Sequence, residues 1–342
     1  MKEIETLLEH YPEAQGIVRE SDVELVERHM ATSSAEQIRW AENRLVIAEL
    51  AGRAFRMLVD TPEHGDPETV VWVTGEFANG FMMDMDRGVN PAVVRARSIR
   101  DIVAPGATLV MSANDTIYED NHNLSREERR QLRHGNASPL FDRVRVHIGE
   151  AARVLAFGPS QGAAVVAAYA GHPDTAITGL SVFEAPNVHE RNSLQLGRDF
   201  VGSGAHLADQ IRLNISPENS ELARAHLEAL HPRGMVVYGA GIVLPSNLAT
   251  LGIMRYPTLR LQLDGALNKG AGVTQLWTAG DHVSPDEANQ TIAESIAKLP
   301  DTMRRRYEAL RFGGEIADHS STNVYTLCAA GLRRAAELAA AA

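Results

Sequence analysis

The sequence predicts an α/β protein in which helices cover both faces of a mostly parallel sheet. Short apolar runs recur along the chain, as in strands that are buried on both faces. Turn-forming residues bound these runs, and most of the intervening segments are long enough for a crossover helix. Because strands that alternate with helices pair in parallel, this pattern favours a sheet between two helical layers.

The composition excludes several classes of protein. The chain has 342 residues, of which 44% are hydrophobic and 23% charged, so it can bury a large core and is not intrinsically disordered. The 33 Lys and Arg residues against 44 Asp and Glu residues give a net charge of −11, which argues against a nucleic-acid partner. Cys328 is the single cysteine and cannot form an internal disulfide.

The termini and apolar stretches favour a cytoplasmic protein. The first residues, MKEIETLLEH, lack the cationic start and apolar core of a signal peptide. The nearest approach to a membrane span is the uncharged stretch at 238–254, but glycines and a proline interrupt it and it is shorter than a membrane span. We therefore expect no stable membrane insertion.

The elements follow one another in a recognisable order. Residues 1–52 read as a helical extension, because Ile38, Leu45, Val46 and Leu50 recur at roughly helical spacing. Polar and apolar helices are expected at 126–134 and 161–170. The predicted strands are residues 53–60, 70–74, 107–112, 153–158, 177–183, 273–278 and 306–312.

One long interval breaks the alternation. Residues 187–272 separate two predicted strands and contain helical patterns such as 220–230. A structureless loop of this length would be unusual, so the interval is interpreted as an inserted helical lid or cap. The expected division is then an extension at 1–52, a core at 53–186 and 273–342, and the lid at 187–272.

The motif Gly158-Pro159-Ser160-Gln161-Gly162 lies between a predicted strand and a predicted helix. A chain that turns from strand to helix within one residue exposes the Ser160 hydroxyl in a strained backbone conformation. Glycines two residues before and after Ser160 remove side chains that would collide in so tight a turn. The pattern indicates a nucleophilic serine, whereas an ordinary glycine-rich turn is the structural alternative.

With this motif the chain resembles the α/β-hydrolase fold superfamily, in particular its lidded serine esterases and lipases. The resemblance extends from Arg53 to the C-terminus and leaves residues 1–50 outside. Pro159 departs from the bulkier residues that are usual before the serine, but proline favours an extended Gly158, which suits the end of a strand.

The resemblance implies an acid and a histidine after Ser160 in the chain. Asp281 follows the strand VTQLWT and would orient the imidazole, while His319 follows the last strand and would act as the general base. Glu184, after the preceding strand, is an alternative acid, and His282 is a weaker alternative base. In the structural alternatives, Asp281 caps a helix that begins near Pro285 and His319 is a solvated loop residue.

The resemblance also implies two backbone donors for an oxyanion hole. The N–H of Gln161 begins the helix after the serine, where the helix dipole favours negative charge. The second donor is expected after the strand VVWVT, from Glu76 or, less favourably, Phe77. A simple glycine turn at Gly75 is the alternative.

These residues imply a serine hydrolase that cleaves a carboxylic ester through an acyl-enzyme, with a small-molecule or lipid-like substrate. No cofactor or metal is expected, because no phosphate-binding loop or metal-ligand motif occurs. An acyltransferase, a C–C hydrolase or a peptidase remains open, the last with Glu184 or Asp286 to bind an amino terminus. A non-catalytic binding or structural module is the alternative of another class, and the sequence is compatible with a homo-oligomer.

Overall fold

Eight strands form one sheet at the centre of the protein. The computed structural model describes residues 2–32, 34–50, 53–75, 91–112, 124–148, 151–199, 245–313 and 322–341. The strands are β1 (Leu45–Leu50), β2 (Arg53–Asp60), β3 (Asp66–Thr74), β4 (Ala107–Ser112), β5 (Arg153–Pro159), β6 (Gly179–Phe183), β7 (Gly272–Thr278) and β8 (Tyr307–Phe312).

The sheet is parallel except at one edge. Its strand order is β1-β2-β4-β3-β5-β6-β7-β8, with β1 antiparallel to β2 and β2 antiparallel to β4. The pairs from β4 through β8 are all parallel. The predicted fold class is therefore confirmed, and the carboxyl ends of β3 and of β5 to β8 meet along one edge of the sheet.

Helices lie in the chain between and around these strands. They are α1 (Lys2–His10), α2 (Glu20–Met30), α3 (Ser34–Glu42), α4 (Pro91–Val103), α5 (Arg126–Arg133), α6 (Ser138–Ile148), α7 (Gln161–Gly171), α8 (Pro245–Thr250), α9 (Leu259–Asn268), α10 (Asp286–Ile296), α11 (Asp301–Arg304) and α12 (Thr322–Ala340). In the part of the chain that the structure describes, no helix is long and apolar enough to cross a membrane.

The two faces of the sheet bury separate apolar clusters. Trp72 and Ala156 belong to the cluster beneath α6, α7 and α9. Their chain neighbours Val71 and Phe157 belong to the cluster beneath α4 and α12. Successive side chains of a strand point to opposite faces, so continuous apolar runs are what a doubly covered sheet requires.

The N-terminal helices pack against α4 and α12, on one of these two faces. Leu7 and Val18 are buried in the same cluster as Phe312, at the end of β8. Asp22 on α2 forms an ion pair with Arg333 on α12, with 2.5 Å between Oδ1 and Nη1, and both side chains are at most 10% exposed. Arg333 also donates to the carbonyl of Ile17 at 2.6 Å.

The prediction that residues 1–52 are helical is wrong beyond Glu42. Residues Leu45–Leu50 form strand β1, whose register with β2 runs from Leu45 opposite Leu58 to Leu50 opposite Arg53. Val46 and Ile47 are β-branched and favour a strand. Pairing with β2 then satisfies backbone groups along one side of β1, and this partner is not visible in a helical spacing pattern.

Part of the range predicted to be a lid belongs to the helical layer of the core. Helix α9 packs against α7 and β7, and a Cβ on its Gly265 would lie 2.9 Å from the Cα of Gly171 at the end of α7. Helix α9 therefore covers the sheet as a crossover helix before β7. Residues 200–244 of the predicted lid lie outside the described residues.

The Asp22–Arg333 ion pair gives a stability prediction. We expect Asp22→Asn to lower the free energy of unfolding by about 3–5 kcal/mol, because it removes the closest and most buried charged partner of the Arg333 guanidinium, while Glu337 lies 3.9 Å away. Urea unfolding of the full chain measures this change. Glu127→Gln, which alters the exposed Glu127–Arg130 pair, is the control and should change stability by at most about 0.5 kcal/mol. Equal effects of the two substitutions would contradict the prediction.

Candidate active site

Ser160 occupies the turn between β5 and α7, as the motif predicts. Its backbone has φ 47° and ψ −124°, a conformation that is strained for a residue with a side chain. Its N–H donates to the carbonyl of Phe183 on β6 at 2.8 Å, and its carbonyl accepts the N–H of Ala163 at 2.9 Å. Strand β6 and the first turn of α7 therefore hold the strained turn from both sides.

The two motif glycines are required by close backbone approaches. A Cβ on Gly158 would lie 2.3 Å from the carbonyl carbon and oxygen of Gly162. A Cβ on Gly162 would lie 2.0 Å from Oγ1 of Thr74 and 2.6 Å from the carbonyl oxygen of Gly75. The turn thus packs against its own helix on one side and against the end of β3 on the other.

The end of β3 lies beside the turn, where a second oxyanion donor is expected. The N–H of Gly75 donates to the carbonyl of Ser112 at 2.8 Å, which fixes the backbone just before residue 76. Oγ1 of Thr74 is buried and has no hydrogen-bond partner among the described residues. Glu76 and Phe77, the predicted donors, lie outside the described residues.

Gln161, the other predicted donor, is the first residue of α7 and is fully buried. The first N–H groups of a helix lack intrahelical acceptors and are oriented to stabilise negative charge. The side chain of Gln161 reaches in another direction, where its Nε2 donates to the carbonyl of Thr250 at 3.2 Å. This hydrogen bond connects the serine turn to the last residue of α8.

Asp281 lies three residues beyond β7, at the same edge of the sheet, and is 7% exposed. Its Oδ1 accepts the N–H of Val283 at 2.7 Å. Helix α10 begins at Asp286 with Pro285 at its N-cap, so Asp281 does not cap that helix. The turn therefore buries a carboxylate near the end of β7, where the predicted acid is required.

Glu184, the alternative acid, lies directly after β6 and is also buried, with 2% exposure. Its φ is 49°, and Glu184 and Ser160 are the non-glycine residues with positive φ in the described part of the chain. Its Oε1 accepts the hydroxyl of Thr278 at 2.6 Å. One oxygen of the Glu184 carboxylate is thus hydrogen-bonded to the last residue of β7.

The two histidine candidates differ in what the structure describes. His282 is exposed to solvent, next to the buried Asp281. His319 follows β8 in the chain, within residues 314–321, which lie outside the described residues. The structure therefore brings Ser160, Gln161, Glu184 and Asp281 to one edge of the sheet, while the assignment of His319 stays a prediction.

Asp286, a candidate for binding an amino terminus, is engaged by other side chains. Its carboxylate accepts two hydrogen bonds from Arg311 at 2.8 Å, one from Trp277 at 2.8 Å and one from Gln290 at 2.9 Å. These bonds, that from Arg311 above all, lower the pKa of Asp286 to about 2. Asp286 therefore has a structural role at the start of α10.

No group of three or more His, Cys, Asp or Glu side chains in the described ranges could hold a metal ion. At the edge of the sheet that carries Ser160, the Glu184 carboxylate accepts a hydroxyl and the Asp281 carboxylate accepts a backbone N–H. The described side chains thus offer hydrogen-bonding groups around a serine.

Comparison with known proteins identifies the fold. No protein-family model matches the chain, and no curated protein matches its sequence. Among solved structures, a bacterial membrane phospholipase A is similar with a TM-score of 0.53 and 14% identity, over 98% of this chain and 96% of that one. Proline iminopeptidase from Mycobacterium smegmatis has a TM-score of 0.46 and 14% identity, over 86% of this chain and 99% of that one. The thioesterase domain from the curacin biosynthetic pathway has a TM-score of 0.44 and 14% identity, over 84% and 97%.

The chain therefore has the α/β-hydrolase fold, as its strand order and its serine turn indicate. At this identity the similarity shows the fold alone. It does not choose among the reactions that the fold supports.

Sequence reasoning missed residues that support the site from neighbouring loops. Thr278, the last residue of β7, holds Glu184. Arg191, in the loop after β6, is 4% exposed and contributes a buried positive charge near this edge. Its only signal in the sequence is a charged residue in the loop that follows the strand GLSVF, a pattern too common to single it out.

The close packing of Gly162 gives a second prediction. We expect Gly162→Ala to lower the free energy of unfolding by about 1–3 kcal/mol, because its Cβ would overlap Thr74 and the carbonyl oxygen of Gly75. Thermal unfolding measures this change. Gly197→Ala is the control: nothing lies within 4 Å of its Cβ and the residue lies in a further helical segment at 193–199, so alanine should be neutral or slightly stabilising. A Gly162→Ala variant as stable as the wild type would show that the turn tolerates a side chain.

Proposed function

We propose that the protein is a serine hydrolase that cleaves a carboxylic ester through an acyl-enzyme. The observation that carries the proposal is the backbone of Ser160, with φ 47° at a strand-to-helix turn. Such strain costs about 1–3 kcal/mol and persists where the surrounding structure holds it, commonly at catalytic sites. This turn also places the serine hydroxyl at the carboxyl edge of a parallel sheet, where ligands bind in open α/β folds.

Each step of the reaction has a proposed group. His319 takes the proton of Ser160 as Oγ attacks the acyl carbon, and Asp281 stabilises the imidazolium that forms. The N–H groups of Gln161 and of Glu76 or Phe77 bind the oxyanion. His319 then protonates the leaving alcohol, and water hydrolyses the acyl-enzyme by the same steps.

Two observations favour Asp281 over Glu184 as the acid. The Glu184 carboxylate accepts the Thr278 hydroxyl at 2.6 Å, which fixes one of its oxygens within the sheet edge. Asp281 lies on a loop beyond the end of β7, where its Oδ1 accepts a backbone N–H. Both carboxylates are buried, so we assign the triad to Asp281 and a supporting role to Glu184.

An ester is the proposed substrate class, with a hydrophobic acyl or alcohol group. The part of the predicted lid that precedes α9 includes the uncharged stretch 238–254, which favours an apolar group over a charged one. The net charge of −11 also disfavours polyanionic substrates. The engagement of Asp286 by Arg311 removes one of the two carboxylates that a peptidase could use to bind an amino terminus.

A serine-directed probe tests the nucleophile. We expect a fluorophosphonate to label the wild type and p-nitrophenyl esters to be hydrolysed, because Ser160 is activated by a general base. Ser160→Ala should lose both labelling and turnover, while Ser181→Ala, at a serine buried within β6, should keep them. Intact-protein mass spectrometry and ester turnover are the measurements.

Two results would contradict the proposal. One is a wild type that is not labelled, and the other is equal labelling of Ser160→Ala. A turnover profile that stays at background across short and long acyl chains would reject the ester assignment while leaving the nucleophile in place.

The two carboxylates can be separated by matched amide substitutions. We expect Asp281→Asn to lower kcat by about 10⁴-fold, because an amide favours the wrong imidazole tautomer. Glu184→Gln keeps an acceptor for Thr278 and should lower kcat by less than about tenfold. The measurement is kcat on one p-nitrophenyl ester, with thermal unfolding as a check on folding. The reverse order of effects would assign the acid to Glu184.

A further inference from the structure

Glu184, the residue directly after β6, has a strained backbone like that of Ser160. Its φ is 49°, and Ser160 with φ 47° is the other non-glycine residue with positive φ in the described ranges. The two residues follow directly on the last residues of β5 and β6, which are neighbours in the sheet. A conformation of this kind persists where the surrounding structure holds it, commonly at functional sites. The contacts that hold Glu184 therefore indicate what its strain serves.

The backbone before Glu184 joins the serine turn to β7. The carbonyl of Phe183 accepts the N–H of Ser160 at 2.8 Å, on the side of β5. The N–H of Glu184 donates to the carbonyl of Leu276 on β7 at 2.9 Å. The two polar groups of a single peptide bond thus connect the nucleophile to the strand that precedes Asp281.

The carbonyl of Ala185, after Glu184, faces the side of β7. It accepts the hydroxyl of Ser284, in the loop after β7, at 2.8 Å. In a regular strand the carbonyls of alternate residues point to the same neighbour, so Ala185 would face β5 as Phe183 does. The strained residue lies between these two carbonyls and reverses this direction. The strain therefore lets the chain contact the loop that carries Asp281.

Two buried hydroxyl groups hold this segment in place. The Thr278 hydroxyl donates to Oε1 of Glu184 at 2.6 Å. The Ser284 hydroxyl, which donates to Ala185, also accepts a hydrogen bond from Nδ2 of Asn289 at 2.9 Å. Thr278, Ser284 and Glu184 are each at most 2% exposed. Because little water reaches these groups, their hydrogen bonds are strong and fix the geometry.

We propose that Thr278 and Ser284 are positioning residues, which act through the strained segment at Glu184 to fix the serine turn relative to the loop that carries Asp281. The inference rests on the proposed function, since it assumes that Ser160 is the nucleophile and that Asp281 acts in the same site. In this role neither hydroxyl contacts the substrate. The two hydroxyls keep the reacting groups at one spacing, and a displacement of about 1 Å costs about 100-fold in rate.

Matched substitutions at Thr278 test this role, with kcat and KM for one p-nitrophenyl ester as the readout. Thr278→Val keeps the volume but removes the donor, so kcat should fall by about 10- to 100-fold while KM stays within about twofold. Thr278→Ser keeps the donor and should restore kcat to within about threefold of the wild type. The rate of fluorophosphonate labelling should follow kcat, because labelling depends on the placement of Ser160.

Thr274→Val is the control for loss of a buried hydrogen bond. Thr274 lies on the same strand, is fully buried, and its hydroxyl donates to the carbonyl of Gly331 at 3.0 Å. Thr274→Val should therefore lower thermal stability about as much as Thr278→Val does, but leave kcat unchanged. Equal falls of kcat in the two valine variants would overturn the inference. A Thr278→Ser variant that is no more active than Thr278→Val would do the same.

Ser284 and Glu184 provide a second measurement. Ser284→Ala removes the donor to Ala185, so kcat should fall by about tenfold with little change in KM. If Thr278→Val does not fold, Ser284→Ala decides, and an unchanged kcat overturns the inference. Glu184→Gly tolerates positive φ but removes the acceptor for Thr278, so adding Thr278→Val to it should lower kcat little further. A full additional loss would show that Thr278 does not act through Glu184.

The wild type separates this inference from the proposed function. A wild type that no fluorophosphonate labels overturns the proposed function, and the inference with it. A wild type that is labelled, with a kcat that neither Thr278→Val nor Ser284→Ala lowers, overturns the inference alone.

Discussion

The strand-to-helix turn at Ser160 depends on a contact that leaves no room for a Cβ on either side. Gly158 lies against the backbone of Gly162, and Gly162 lies against Thr74 and the carbonyl of Gly75. Because β3 and β5 are adjacent in the sheet, this contact brings the end of β3 to the start of α7. The strained serine, the first turn of α7 and the segment after β3 are therefore positioned by one packing interaction.

The opposite side of the site depends on buried charge. Glu184 and Asp281 follow neighbouring parallel strands, so their carboxylates are buried at the same edge of the sheet. Two buried negative groups are costly unless hydrogen bonds and nearby cations stabilise them. Thr278 and the N–H of Val283 donate hydrogen bonds that provide part of this stabilisation. The end of β7 thus stabilises the carboxylate that follows β6 as well as the carboxylate of its own loop.

The N-terminal helices support the face of the sheet away from α7. The Asp22–Arg333 pair joins α2 to α12, and α12 packs on β6 and β7, the strands that precede Glu184 and Asp281. His29 on α2 also contacts Ser98 at 2.9 Å and Asp101 at 3.2 Å on α4. A segment outside the usual pattern of the fold is therefore part of the packing on which the site rests.

The sequence by itself determined the fold class, most of the strands and the serine turn. The runs at 107–112 and 153–158 are mainly apolar because both faces of the sheet are covered, and Gly158 and Gly162 mark the turn because a Cβ does not fit at either position. The tertiary structure alone decided what depends on partners distant in the chain. Residues Leu45–Leu50 form a strand because they pair with β2. Helix α9 belongs to the core because its Gly265 packs closely against Gly171 at the end of α7. Ser284 reaches Ala185 because parallel strands bring separate loops together, and residue spacing along the chain does not contain that distance.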